Sequence, residues 1–103
     1  MTEPTKIRAQ LNGSSALVRV LMLHEMESGL RKDANGKTVA AWHIQTVQIR
    51  HQDKLVLTMH CGPAVAKNPY LQFSLRDAKT GDRVSVSWID NLGNRRADST
   101  TIA

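Results

Sequence analysis

A single cysteine, Cys61, stands in the 103 residues, which excludes an internal disulfide, a multi-thiolate metal site and a CxxC redox motif. Free cysteine is among the most buried residue types, so Cys61 reads either as a small core hydrophobe or as a thiol that meets a partner. Aromatics are also scarce: two Trp, one Tyr and one Phe leave little to stack on bases. Apolar stretches such as Val18 to Leu23 fall far short of the roughly 20 residues that a membrane-spanning helix needs. Met1 to Lys6 is polar and lacks the basic start and apolar run of a secretory signal. Three expectations stay open on that point: a cytoplasmic protein, a mature form, or a chain exported while bound to a partner that carries the signal.

Recognisable catalytic machinery is missing too. There is no GxSxG elbow, Walker loop, GxGxxG turn or HExxH helix, each of which would place a nucleophile, phosphate cradle or metal at a defined turn. His24, His43, His51 and His60 never pair at i, i+2 or i, i+4, the spacings that put two ligands on one metal. Glu25 and Glu27 form one carboxylate group, and Asp77, Asp82 and Asp90 another. The last three sit at strand ends and turns, where Asp bonds its own backbone, and read as caps rather than acid-base pairs. No catalytic residue, cofactor or metal is assigned.

What the chain does have is the balance of a folded domain, 41% hydrophobic and 22% charged, in a length that suits one core and is too short for two. We therefore expect a single domain over 1–103. Fourteen Lys and Arg against nine Asp and Glu give a net charge of +5, which favours an anionic partner. Basic residues such as Lys6, Arg8, Arg31, Lys32, Lys54, Lys67, Arg76, Arg83, Arg95 and Arg96 are scattered along the chain. With so few aromatics, that scatter argues against nucleic acid.

The pattern along the chain is strand, turn, strand. Thr5 to Gln10 reads as an edge strand before the turn Asn12-Gly13-Ser14-Ser15. Ala16 to Leu23 carries Val18, Val20 and Met22 on one face and Leu17, Leu21 and Leu23 on the other, the mark of a central strand. His24 to Ala41 breaks the alternation and contains Gly29, Arg31-Lys32-Asp33 and the turn dipeptide Asn35-Gly36. A loop this long is usually functional or disordered. From Trp42 to His51 the apolar phase slips near Gln45-Thr46, which predicts a β-bulge. Lys54 to Cys61 follows as the second arm of a hairpin, with Leu55, Leu57, Met59 and Cys61 expected on one face. Gly62 to Pro69, with two prolines, should cross between sheets. Tyr70 to Arg76, the Val84-Val86-Trp88 strand and Arg95 to Thr101 complete a total of about seven strands, with turn signals between them and no helical period. That is an all-β chain, an immunoglobulin-like two-sheet antiparallel sandwich.

Three segments carry a likeness to a known family. They are His24-Glu25-Met26-Glu27-Ser28-Gly29-Leu30-Arg31-Lys32-Asp33 with Asn35-Gly36-Lys37 and Ala41-Trp42-His43-Ile44; Gly62-Pro63-Ala64-Val65-Ala66-Lys67-Asn68-Pro69-Tyr70; and Gly81-Asp82 with Val84-Ser85-Val86-Ser87-Trp88 and Asp90-Asn91-Leu92-Gly93. Together they cover most of the chain and closely resemble the SoxZ family of sulfur-oxidising bacteria. The resemblance implies an immunoglobulin-like sandwich that performs no chemistry and pairs with SoxY, whose flexible C-terminal arm ends in a cysteine that holds sulfur intermediates during thiosulfate oxidation. Through SoxY it would meet the other Sox enzymes, SoxXA, SoxB and SoxCD. It also implies a periplasmic pair exported on the signal of SoxY alone.

A stable heterodimer needs outward apolar side chains. The interface candidates are His24, Met26, Leu30, Arg31, Lys32 and Trp42, with the outward row Leu17, Leu21 and Leu23. Arg31, Lys32 and Lys37 could attract an acidic face or an anionic sulfur adduct, and Cys61 is a possible interface thiol. Isolated, such a chain could self-associate through its uncovered interface. The competing reading is an autonomous basic β-sandwich module that recognises an acidic protein, a glycan or nucleic acid.

Overall fold

A computed structural model describes residues 2–62 and 64–103. Seven strands run through it: β1 (Lys6–Asn12), β2 (Ser15–Leu21), β3 (Ile44–His51), β4 (Lys54–His60), β5 (Tyr70–Leu75), β6 (Arg83–Asp90) and β7 (Arg95–Thr101). They form a three-stranded sheet, β1-β2-β5, and a four-stranded sheet, β4-β3-β6-β7, with every pairing antiparallel. This is the expected two-sheet sandwich, and the segment after β4 crosses between the sheets as expected; of its two prolines, Pro63 lies outside the described residues.

Period-two alternation explains which side chains fill the space between the sheets. Val18, Val20 and Met22 from β2 and its exit meet Val47 and Ile49 of β3 and Val84, Val86 and Trp88 of β6, all of them buried. One side of the sandwich is closed. Thr5 donates its N–H to Asp98 Oδ2 at 2.9 Å, and beyond β7 the chain turns so that Ala103 exchanges hydrogen bonds with Ala9 and Leu11 of β1.

Two bulges shape β3 and β4. In the first, Ile44 pairs with Asp90 and Thr46 with Ile89, leaving Gln45 as the extra residue, where the phase slip placed it. The carbonyl of Gln45 accepts the N–H of Cys61 at 2.8 Å. The second was not foreseen: Ile49 pairs with Leu57 but Arg50 with Leu55, so Val56 is inserted into β4. Leu55 therefore leaves the row of Leu57, Met59 and Cys61 and lies exposed opposite Arg50, which corrects the expectation of one four-residue face. The physical reason is that an edge strand can bulge without breaking a second ladder, and doing so spoils it as a template for further pairing.

Three strands facing four leave one over. With β1 closed on β7, β4 has no strand opposite it, and its inward residues Leu57, Met59 and Cys61 are only partly covered. The molecule is also longer than its strands. Elements of six to eight residues reach roughly 20–27 Å, whereas the long axis is 53 Å. Segments continuing past the strand ends supply the remainder, the largest being the connection from β2 to β3.

Candidate functional site

The β2–β3, β4–β5 and β6–β7 connections meet at one end of the sandwich, where β2, β4 and β6 finish and β3, β5 and β7 begin. The segment from His24 to Trp42 is an ordered arm rather than a wandering loop. Glu27 and Trp42 exchange two backbone hydrogen bonds, at 2.7 and 2.9 Å, Val39 donates to Arg31, and Asp33 donates to Lys37 across the Asn35-Gly36 tip. Asp33 Oδ1 accepts the N–H of both Asn35 and Lys37 and closes the turn. The arm is an irregular hairpin held at its base.

That base is organised by Asp90. Its Oδ2 accepts hydrogen bonds at 2.9 Å from His24 Nε2, Trp42 Nε1 and Asn94 Nδ2. Its Oδ1 accepts the backbone N–H of Leu92 and of Asn94, the capping role expected of an Asp at a strand end. Burial alone would push the carboxyl pKa up. The bonds from His24, Asn94 and Trp42 outweigh it and hold the pKa at about 2. The His24 ring lies between two indoles, 4.9 Å from Trp42 and 5.0 Å from Trp88 edge-on, a packing that favours aromatic pairs. Asn91 adds a second clasp, donating to the carbonyl of Ala41 and accepting the N–H of His43.

The interface candidates thus fall into separate places. His24 is buried and props Trp42, which is half-buried. Met26 packs against the core, and its Sδ accepts the Ile44 N–H at 3.5 Å. Leu30, Arg31 and Lys32 stand out on the arm, Leu30 with 84% of its surface exposed. The Arg31 guanidinium bonds both carboxylate oxygens of Glu27 and holds that carboxyl below its usual range. Lys32 and Lys37 are exposed beside it. Leu17, Leu21 and Leu23 face outward, half-buried.

Cys61 sits apart from the arm tip, at the end of β4. It lines a cleft of about 410 Å³ with Met59, Val65, Ala66, Pro69 and Tyr70. The thiol is half-buried, and burial pushes its pKa up. At neutral pH it is a thiol with little thiolate, hence a weak nucleophile. Among the described residues no group of three His, Cys, Asp or Glu side chains is placed to hold a metal.

Gly29 tests how the arm is seated. Its φ is +87°, and a Cβ there would lie 3.2 Å from Ala41 Cβ on the returning strand. Gly29→Ala is expected to loosen the arm and cost about 1–2 kcal/mol through the left-handed backbone and the contact. Hydrogen exchange should show faster exchange at Glu27 and Trp42, with the amides of β3 and β6 unchanged. Equal protection in the two proteins would contradict this placement.

Sequence reasoning missed two features. Asp90 was legible as a cap but not as the anchor of His24 and Trp42, because that pairing joins residues 66 and 48 positions apart. The uncovered inner face of β4 depends on how many strands each sheet holds, which no local pattern states. A search of curated proteins finds no match. A protein-family model for the sulphur oxidation protein SoxZ matches residues 5–101, spanning all seven strands, the arm and the crossover. The chain belongs to the SoxZ family.

Proposed function

We propose that the chain is the non-catalytic subunit of a sulfur-carrier heterodimer, and that it docks SoxY, whose cysteine arm holds the sulfur intermediates. The observation that carries this reading is the uncovered flank of β4. Leu57, Met59 and Cys61 lie half-covered along its inner side, and Leu55, Val56 and Tyr70 are exposed around it, at 45%, 41% and 57%. Apolar surface left at an open sandwich edge, rimmed by polar residues, is what an obligate partner covers. A standard interface takes roughly 800 Å² from each partner, about an eighth of this chain's 6645 Å².

The chemistry of the chain supports a passive role. Its one thiol is disfavoured as a nucleophile, and its most strongly held carboxylate, Asp90, is fully engaged in hydrogen bonds at the base of the arm. A carrier arm that visits several enzymes needs a rigid mount, and an ordered sandwich loses little entropy when it binds. The arm with Leu30, Arg31 and Lys32 lies at the same end as the Cys61 cleft and would extend the contact. In this reading the pair works in the periplasm.

The test is direct. Mixed with SoxY, the chain should form a complex of one copy each, seen by sedimentation at micromolar concentration. A chain that stays monomeric beside SoxY but binds polyanions would favour the autonomous module instead.

A further inference from the structure

We infer that the outer face of the three-stranded sheet is a second docking surface, built for an acidic protein partner. Strand register sets three rows across it: Lys6–Leu21–Tyr70, Arg8–Arg19–Gln72 and Gln10–Leu17–Ser74. In sequence these cations look dispersed, yet the register brings Lys6, Arg8 and Arg19 to one face. The three rows contain no Asp or Glu. Among the described residues, none of the three cations takes part in an ion pair.

Arg8 and Arg19 are direct cross-strand neighbours, so their Cβ atoms stand only about 5 Å apart. Like charges directly opposite destabilise a sheet, and a nearby carboxylate would be the simple remedy. Three other cations have such a carboxylate, Arg31 with Glu27, Lys67 with Glu25 and Arg96 with Asp98, whereas Arg8 and Arg19 oppose each other directly across the strands. Where a sequence breaks a local rule without compensation inside the molecule, the missing groups are expected from outside.

The remaining side chains decide what kind of anion fits. Leu17 and Leu21 lie half-buried on either side of Arg19, and the aliphatic stems of the arginines can cover them while the guanidiniums project. An acidic protein face uses both features, apolar contact on the leucines and carboxylates on the forks of Arg8 and Arg19. Nucleic acid would use only the charges. Its one stacking candidate, Tyr70, stands at a corner of the face with its hydroxyl donating to Gln72, so successive bases would find no row of rings to stack on. This surface meets the β4 flank only at Tyr70 and does not depend on the reading of SoxY.

The experiment uses the full chain, labelled with 15N, titrated with three probes at low salt: a short capped peptide alternating Glu and Thr, the same peptide with Gln for Glu, and a short DNA duplex. The acidic peptide should shift the amides of residues 6–10, 17–21 and 70–74, weakly and with strong salt dependence, and the Gln peptide should not. Arg8→Gln/Arg19→Gln should weaken the acidic peptide at least about tenfold. It relieves a repulsion and should fold as well as the parent; Arg8→Gln alone, on the edge strand, gives the same readout in smaller measure. Shifts confined to the arm around Lys32 and Lys37, equal binding of the Gln peptide, or tighter binding of DNA at this face would each overturn the inference.

Discussion

Asp90→Ala is expected to melt roughly 15–25 °C below the parent, from a loss of about 3–4 kcal/mol, because a buried carboxylate is removed and the donors that bonded it are left without their acceptor. The substitution takes away five hydrogen bonds at once, two of them to backbone N–H groups and two to the rings of His24 and Trp42. The buried His24 donor and the half-buried Trp42 donor are then left without their acceptor, a penalty beyond the lost bonds themselves. The same residue sets a pH signature. Its folded pKa of about 2 lies below the ordinary 3.8, so the charged form stabilises the fold. That contribution, about 2 kcal/mol, is fully present above pH 3.8, weakens below it and is gone once the pH has fallen through 2. The gap in stability between parent and Asp90→Asn should therefore narrow from pH 5 to pH 2 in acid titrations followed by circular dichroism. A gap that stays constant over that range would mean that Asp90 is not held as a carboxylate.

The second large effect concerns assembly. On the proposed docking of SoxY at β4, Val56→Lys/Met59→Lys should weaken binding at least about 100-fold, about 3 kcal/mol, because two charges would have to be buried in the apolar centre of that contact. The melting temperature of the free chain should fall by only a few degrees. Val56 is a bulge residue on an edge strand and Met59 is half-covered, so a lysine at either site can lift its ammonium into water. Charge reversal at Arg31 and Lys32 should act differently. These side chains are exposed on the arm, and their reversal should slow association and change its salt dependence by less than tenfold. Calorimetry and stopped-flow kinetics separate the two cases. Equal, small effects from both variants would move the docking site away from β4.

Alternation made the strands legible. Val84, Val86 and Trp88, or Leu71, Phe73 and Leu75, could belong only to strands with one face in a core, and the slip at Gln45 was visible because apolar residues on both sides of it changed phase. The bulge at Val56 was invisible for a matching reason: Leu55, Val56 and Leu57 are all apolar, so an inserted residue leaves no break in the pattern. The arm was recognisable as a departure from strand character, but its hairpin order comes from backbone bonds between Glu27 and Trp42 and between Arg31 and Val39, which side-chain chemistry does not announce. The Arg8–Arg19 contact is of the same kind. Each arginine is an ordinary surface residue until the register of β1 against β2 is known.

Within the candidate site, residue type was a good guide to importance and a poor guide to role. His24 was named as an interface candidate, and the structure places it as the buried strut between Trp42 and Trp88. Leu30 was chosen on the same grounds and is almost wholly exposed. Nothing in the local sequence separates them, because burial at this end depends on Asp90, which enters the chain long after the arm has been made.

If this chain mounts a sulfur carrier and does no chemistry of its own, its mass should tell. Intact-mass spectrometry of both subunits, taken during thiosulfate turnover by a reconstituted system, should show sulfur adducts on SoxY and an unmodified mass for this chain, and Cys61→Ser should leave turnover unchanged. A sulfur adduct on Cys61 that forms and decays with turnover, or loss of turnover in Cys61→Ser, would contradict the account.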